Sequence, residues 1–289
     1  MNEPASYLQE VGSSPLLQRA VAAGALAGLA CAVLSPYVVL RRMAFVGDGM
    51  AHAAFGGLGL GLFLFAGSTG EDVRVQAVTI GFCLLLAVAV GKASRRRVPN
   101  RITEDSAIGI AFAVAMALGA LLISLRQRRD PLYAPSWEGY LFGNLLTIGP
   151  GQVWFMLALA AALILVLTLL HKELLFYSYD EGLAEVSGLP VAWLHYLFLL
   201  LLVFTVVVSS RVVGIVLVSA SLILPGLMAL ALCQRLATAL ALAGLAGVAS
   251  FELGLYASYA WKVPPGSAII LVQFIFLLAA YAVKRVRVA

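Results

Sequence analysis

Residues Val191–Ser209 read VAWLHYLFLLLLVFTVVVS, an apolar run with no Asp, Glu, Lys or Arg and one histidine, His195. Coiled into a helix rising about 1.5 Å per residue, it matches the hydrocarbon thickness of a bilayer. Similar runs lie on both sides. Upstream they fall at about Leu16–Leu40, Ala44–Ala66, Val75–Gly91, Ser106–Leu125 and Gln152–Leu170. Downstream they fall at about Val212–Leu232, Ala237–Tyr259 and Ser267–Val283. Arg211 is the boundary expected between the sixth and seventh runs, and Tyr140–Leu146 is read as a short interfacial helix. The fold class is therefore an all-α polytopic membrane bundle of nine spans, or eight with one partly re-entrant segment. The composition agrees. Of 289 residues 62% are hydrophobic and 11% charged, with a mean hydropathy of +1.00, whereas a soluble chain is about half apolar and a quarter charged. This excludes a water-soluble enzyme, a secreted disulfide scaffold and a nucleic-acid-binding module. Cys31, Cys83 and Cys233 lie inside apolar runs without a CxxC and read as small buried hydrophobes.

Lys and Arg cluster after alternate spans: Arg41 and Arg42 after the first, Lys92 to Arg101 after the third, Arg235 after the seventh, and Lys284, Arg285 and Arg287 after the ninth. Basic residues mark the cytoplasmic side, so the N-terminus is expected outside. The polar stretch Met1–Pro15 has no Lys or Arg. It lacks the basic opening of a secretory signal, and the first run is expected to remain as a span. The basic group Arg126, Arg128 and Arg129 falls on the outer side in this topology, against the rule, and sequence offers no account of it.

Ionisable groups inside a span are costly and point to function. The second span holds Asp48 and His52 four residues apart, one turn along the same helix face. Glycines at 47, 49, 56, 57, 59 and 61 make this helix thin, so that another backbone or an ion can approach closely. Carboxylate oxygen with imidazole nitrogen suits Zn, Mn or Fe(II) better than Mg or Ca. The bland alternative is an Asp–His pair that braces two helices. Gly56 and Gly59 continue the stripe as candidate pathway-lining positions. Glu252, in the eighth span, is a third such candidate that needs a partner or a wet cavity. His195 and His171 sit at span ends and read as interfacial.

A second feature is the mildly acidic stretch at 171–190. From Asp180 it can form a short amphipathic helix with Asp180 and Glu181 in its first turn and Leu183 and Glu185 within it, ended by Gly188 and Pro190. It is either a surface loop or a docking surface for a cytoplasmic partner. The chain contains no GxxxxGK[ST], HExxH or GxSxG. ATP binding through a phosphate loop is therefore not expected in this chain, nor is hydrolase chemistry.

Five stretches in order resemble the ABC-3 permeases, the membrane subunits of bacterial zinc, manganese and iron importers. They are Leu40 to Ala53 (the family's Arg-Arg and Gly-Asp…His-Ala signature), Glu104 to Ile110, Tyr140 to Asn144, Asp180 to Pro190, and Val206 to Pro225. Gly49, Met50 and Ala51 depart from the signature, whereas Asp48 and His52 keep it. The resemblance implies a fold similar to vitamin B12-type importer permeases and a location in the bacterial cytoplasmic membrane. It implies a single transmembrane permease domain over 1–289, with no permanently bound cofactor and a divalent metal carried transiently. Its implied partners are cytoplasmic ATP-binding subunits, an extracytoplasmic metal-binding protein and a second permease copy, with no nucleic acid. It assigns metal contact to Asp48 and His52, and coupling to the ATPase to Asp180, Glu181, Leu183, Glu185 and Gly188. Two rivals are an ion-coupled secondary carrier using Asp48 and Glu252, and a membrane-embedded metal-dependent enzyme.

Overall fold

The computed structural model describes residues 4–65, 72–95, 104–129, 143 and 148–288. Among them lie thirteen α-helices: α1 (Pro4–Ser13), α2 (Pro15–Leu40), α3 (Ala44–Leu64), α4 (Val73–Arg95), α5 (Glu104–Arg129), α6 (Pro150–Leu169), α7 (His171–Tyr179), α8 (Glu181–Val186), α9 (Val191–Val213), α10 (Ile215–Ser221), α11 (Leu224–Leu232), α12 (Leu236–Trp261) and α13 (Pro265–Val288). The expected interfacial helix at 140–146 lies outside the described residues apart from Gly143.

Eight segments are long and apolar enough to cross a membrane: α2, α4, α5, α6, α9, α10 with α11, α12 and α13. The helix α3 is not one of them, although its 21 residues span about 31 Å at 1.5 Å each. Asp48, His52 and the glycines dilute its hydropathy, and its surroundings explain why this is tolerated. Fourteen of its residues are buried, because α4, α5, α9 and α10 pack around it. A helix enclosed by protein has no need of an apolar lipid-facing surface.

Small side chains select which helices are enclosed. In the other half of the bundle α2, rich in Ala and Gly, is surrounded by α6, α9, α11 and α12. There Gly28 and Gly247 let the backbones of α2 and α12 nearly touch, since a Cβ at Gly247 would sit 2.8 Å from the Gly28 carbonyl oxygen. The α3 helix has the same device on two sides. A Cβ at Gly59 would lie 2.7 Å from the Gly119 carbonyl oxygen of α5, and one at Gly57 would lie 2.9 Å from Thr79 Cα of α4. Without a hydrophobic drive between helices in lipid, such close packing is the main source of association.

Two sequence expectations are corrected. Arg211 does not end its span. The helix α9 runs on to Val213 and stops at Gly214, whose φ of +86° is readily adopted by glycine. Arg211 therefore sits in the last turn of α9, where the carbonyl end of the helix favours a cation, and lines a small cavity with Gln76 and Gln152. The seventh span is not continuous either, since it breaks at Leu222–Ile223 ahead of Pro225.

Arg126, Arg128 and Arg129, which the charge rule left unexplained, also find their reason. They occupy the last turn of α5, again at a carbonyl end. Arg126 is 4% exposed and donates to the Leu62 and Phe65 carbonyl oxygens, the latter at 2.9 Å. It thereby caps the C-terminus of α3, which no intrahelical donor can satisfy. The Arg129 guanidinium stands 5.5 Å from the Phe63 ring. Arg126→Ala is expected to destabilise the protein by about 1–3 kcal/mol, because it strands buried carbonyls. The exposed Arg128→Ala should stay within about 0.5 kcal/mol. Thermal unfolding of the two variants in detergent checks the difference.

Candidate metal pathway site

The site begins at the turn between α2 and α3. The Arg42 amide donates to the Val39 carbonyl at 3.0 Å and the Met43 amide to the Val38 carbonyl at 2.9 Å. Arg42 has a φ of +56°. These are the two crossed bonds of a Schellman turn, with arginine in the left-handed position that glycine usually fills. Only three residues separate the helices, so the direction of α3 follows from the end of α2. Along α3, Asp48 and His52 then lie about 6 and 12 Å from its first residue, at 1.5 Å per residue.

The pair is not a closed brace. Asp48 Oδ1 and His52 Nε2 are 3.6 Å apart, too far for a hydrogen bond. The Asp48 side chain is 40% exposed and that of His52 is 18% exposed. His52 Nδ1 is buried and has no hydrogen-bond partner among the described residues. One edge of its ring is fixed by Phe112 of α5, at 4.3 Å between centroids and nearly perpendicular. Oxygen and nitrogen donors therefore face each other across a gap, neither of them committed to the other. A divalent cation fits that donor chemistry. Among the described residues no group of three or more His, Cys, Asp or Glu able to hold a metal occurs.

The other candidates are dispersed. Gly56 and Gly59 face α5, where backbone fills the space their missing side chains leave. In this arrangement their thinness serves helix contact. Glu252 is half-buried on α12, a helix that packs on α2, α11 and α13. The two remaining histidines are engaged by tyrosines: His195 Nδ1 lies 2.8 Å from the Tyr177 hydroxyl, and His171 Nδ1 lies 3.4 Å from that of Tyr37.

The acidic segment forms the short helix α8, capped at both ends. Asp180 Oδ1 accepts from the Leu183 amide at 3.0 Å. Gly188 has a φ of +80°, and its own amide and that of Leu189 donate back to Glu185 and Ala184. Only Ala184 is buried, against the bundle; Leu183 is 54% exposed and Val186 is 88% exposed. Sequence missed what ties this helix to the site. Arg41, in the turn before α3, reaches Tyr177 and Glu181. No local signal marks that contact, which joins positions 136 and 140 residues apart.

The chain is similar to known proteins in sequence and in fold. A manganese transport system membrane protein, MntC, from Halalkalibacterium halodurans is 36% identical over 277 residues, 95% of this chain and 90% of that one. A chelated iron transport system membrane protein, YfeD, from Yersinia pestis is 33% identical, covering 99% of this chain and 92% of that one. In three dimensions the chain superposes on a chain of the PsaBC complex from Streptococcus pneumoniae with a TM-score of 0.83 at 29% identity, covering 96% and 95% of the two chains. A putative metal-chelate type transporter in an inward-facing conformation shares the fold, with a TM-score of 0.70 at 18% identity. The match to the ABC 3 transport family extends over residues 13–284. The family match covers most of the chain, and this chain is a multi-pass membrane permease belonging to the ABC 3 transport family.

Proposed function

We propose that this chain is the membrane permease of an ATP-driven importer of divalent transition metal ions, with manganese and iron(II) as the favoured cargo. The observation that carries the reading is the Asp48–His52 pair, open and partly accessible, in the enclosed helix of a chain that matches its family along almost its whole length. The relatives named for manganese and for chelated iron support the choice of metals. ATP hydrolysis belongs to a separate subunit, and an external binding protein delivers the ion.

A second copy of the permease completes the site. Two chains about one axis supply two carboxylates and two imidazoles, enough for four ligands with room for water. A transport site must also release its ion, which donors that stand 3.6 Å apart and are not bonded to each other permit. The α8 surface, with Leu183 and Val186 outward and Glu181 and Glu185 beside them, docks on the ATPase.

The direct test is reconstitution of the chain with its ATP-hydrolysing partner in vesicles. ATP-dependent accumulation of Mn2+ or Fe2+ is expected, and uptake by the chain alone without ATP would replace this reading with an ion-coupled carrier. A second measurement addresses α8. Val186→Asp alters a residue with almost no contact to the chain itself, so stability should hold within about 0.5 kcal/mol. Affinity for the ATPase should fall about tenfold, as for an apolar anchor lost from an interface. Unchanged binding would make α8 an ordinary surface turn.

A further inference from the structure

We infer that Arg41 is a positioning residue that transmits movement of the docking helix α8 to the metal-bearing helix α3. The inference rests on the importer reading above and deepens it by naming the physical link.

The link is built from one guanidinium. Arg41 Nη1 donates to the Tyr177 carbonyl oxygen at 3.0 Å, and Nη2 donates to the Tyr177 hydroxyl and to Glu181 Oε2, each at 2.8 Å. Its central carbon lies 3.8 Å from the Tyr177 ring centroid. Tyr177 lies in the last turn of α7, so its carbonyl is among the acceptors that no intrahelical amide can reach. Arg41 thus caps α7 and pairs with the first residue of α8 at once. The Tyr177 hydroxyl also meets His195 Nδ1, near the start of α9, at 2.8 Å. The other end of α7 is held to α2 by the pair of Tyr37 and His171.

Every connection from this knot to Asp48 is short. Arg41 stands at the end of α2, in the Schellman turn whose two bonds fix the start of α3. Tyr177 is fully buried and the Arg41 side chain is 14% exposed, so water competes little for the bonds between them, whereas the Glu181 side chain, 46% exposed, forms the solvated outer end of the link. On the far side, Asp180 and Gly188 cap α8 into a rigid unit. A push on α8 is therefore delivered through Glu181 and Tyr177 to Arg41, and from there through the hydrogen-bonded three-residue Schellman turn to the first turns of α3. Lysine does not substitute, because its ammonium is a compact point charge without the fixed fork of donors by which the guanidinium reaches three acceptors at once.

The assembled complex in vesicles provides the test, with Mn2+ uptake and ATP hydrolysis measured on the same preparation. Arg41→Ala is expected to lower the number of ions moved per ATP about tenfold, within the range by which residues along a coupling path alter it. Arg41→Lys should lower the ratio in the same direction, and it decides the matter if the alanine variant does not assemble. A merely structural role would reduce the fraction of active complexes, so that uptake and hydrolysis fall in step and the ratio holds. That result, or a wild-type ratio in both variants, overturns the inference. A wild-type complex that moves Mn2+ without ATP overturns the importer reading instead, and the link with it.

Discussion

Replacing Asp48 or His52 by alanine is expected to abolish metal uptake while leaving the protein folded and assembled. The reasoning starts from what the pair does not do. At 3.6 Å the two groups are not hydrogen-bonded to each other, and His52 Nδ1 has no partner among the described residues. Little stability is therefore stored in their contact. A brace between helices would behave in the opposite way. Its loss would lower the melting temperature and the yield of complex, and uptake per assembled complex would hold. For a ligand pair the loss falls on the ion. Changing groups that only orient a metal ligand costs about 10–100-fold in affinity or activity, so removing a ligand itself should reduce uptake by about 100-fold or more. Asp48→Asn is the sharper variant, since it keeps the shape and removes the charge. Uptake of Mn2+ per assembled complex is the measurement, with thermal unfolding alongside. Normal uptake by Asp48→Ala or His52→Ala removes the pair from the pathway, whatever happens to stability.

The sequence exposes the bundle but not its internal order. Hydropathy read from the sequence marks nine runs, or eight with one partly re-entrant segment, and eight of the described helical segments are long and apolar enough to cross a membrane. The exception, α3, follows from a different signal: its glycines, Asp48 and His52 suit a helix shielded by others, and those residues mark both the enclosed helix and the candidate site. Features set by tertiary contact were not legible. Arg126 reads as a violation of the charge rule because its partners, the carbonyls of Leu62 and Phe65, lie more than 60 residues away. Arg211 reads as a boundary because charge is visible in sequence, whereas the left-handed backbone at Gly214 is not. Asp180 and Gly188 were readable as the ends of a short helix, since caps act within four residues. The hold of Arg41 on that helix was not readable, because nothing local distinguishes it from Arg42.

Glycine substitutions separate close packing from mere flexibility, and the expected contrast is large. Gly59 faces the Gly119 carbonyl oxygen at 2.7 Å from where a Cβ would stand, and Gly119 faces the Phe55 carbonyl oxygen at the same distance. These obstacles are backbone atoms, which cannot rotate aside. Adding one methyl at Gly59 therefore forces α3 and α5 apart, at about 1–3 kcal/mol for an overpacked site. A leucine there adds three further carbons into the same seam and should prevent recovery of folded protein. The consequence extends to the site. Phe112 of α5 holds the edge of the His52 ring at 4.3 Å, so a widened seam also loosens a metal ligand and lowers uptake in Gly59→Ala beyond the loss of folded material. Gly81 in α4 and Gly109 in α5 are the controls, because nothing lies within 4 Å of a Cβ at either position. Alanine at these sites should be neutral or stabilise by about 0.5–1 kcal/mol through the reduced freedom of the unfolded chain. Thermal unfolding of the four variants in detergent, with Mn2+ uptake for those that fold, gives the comparison. If Gly59→Ala is as benign as Gly81→Ala, the contact between α3 and α5 is looser than described, and the rigid mounting of His52 goes with it.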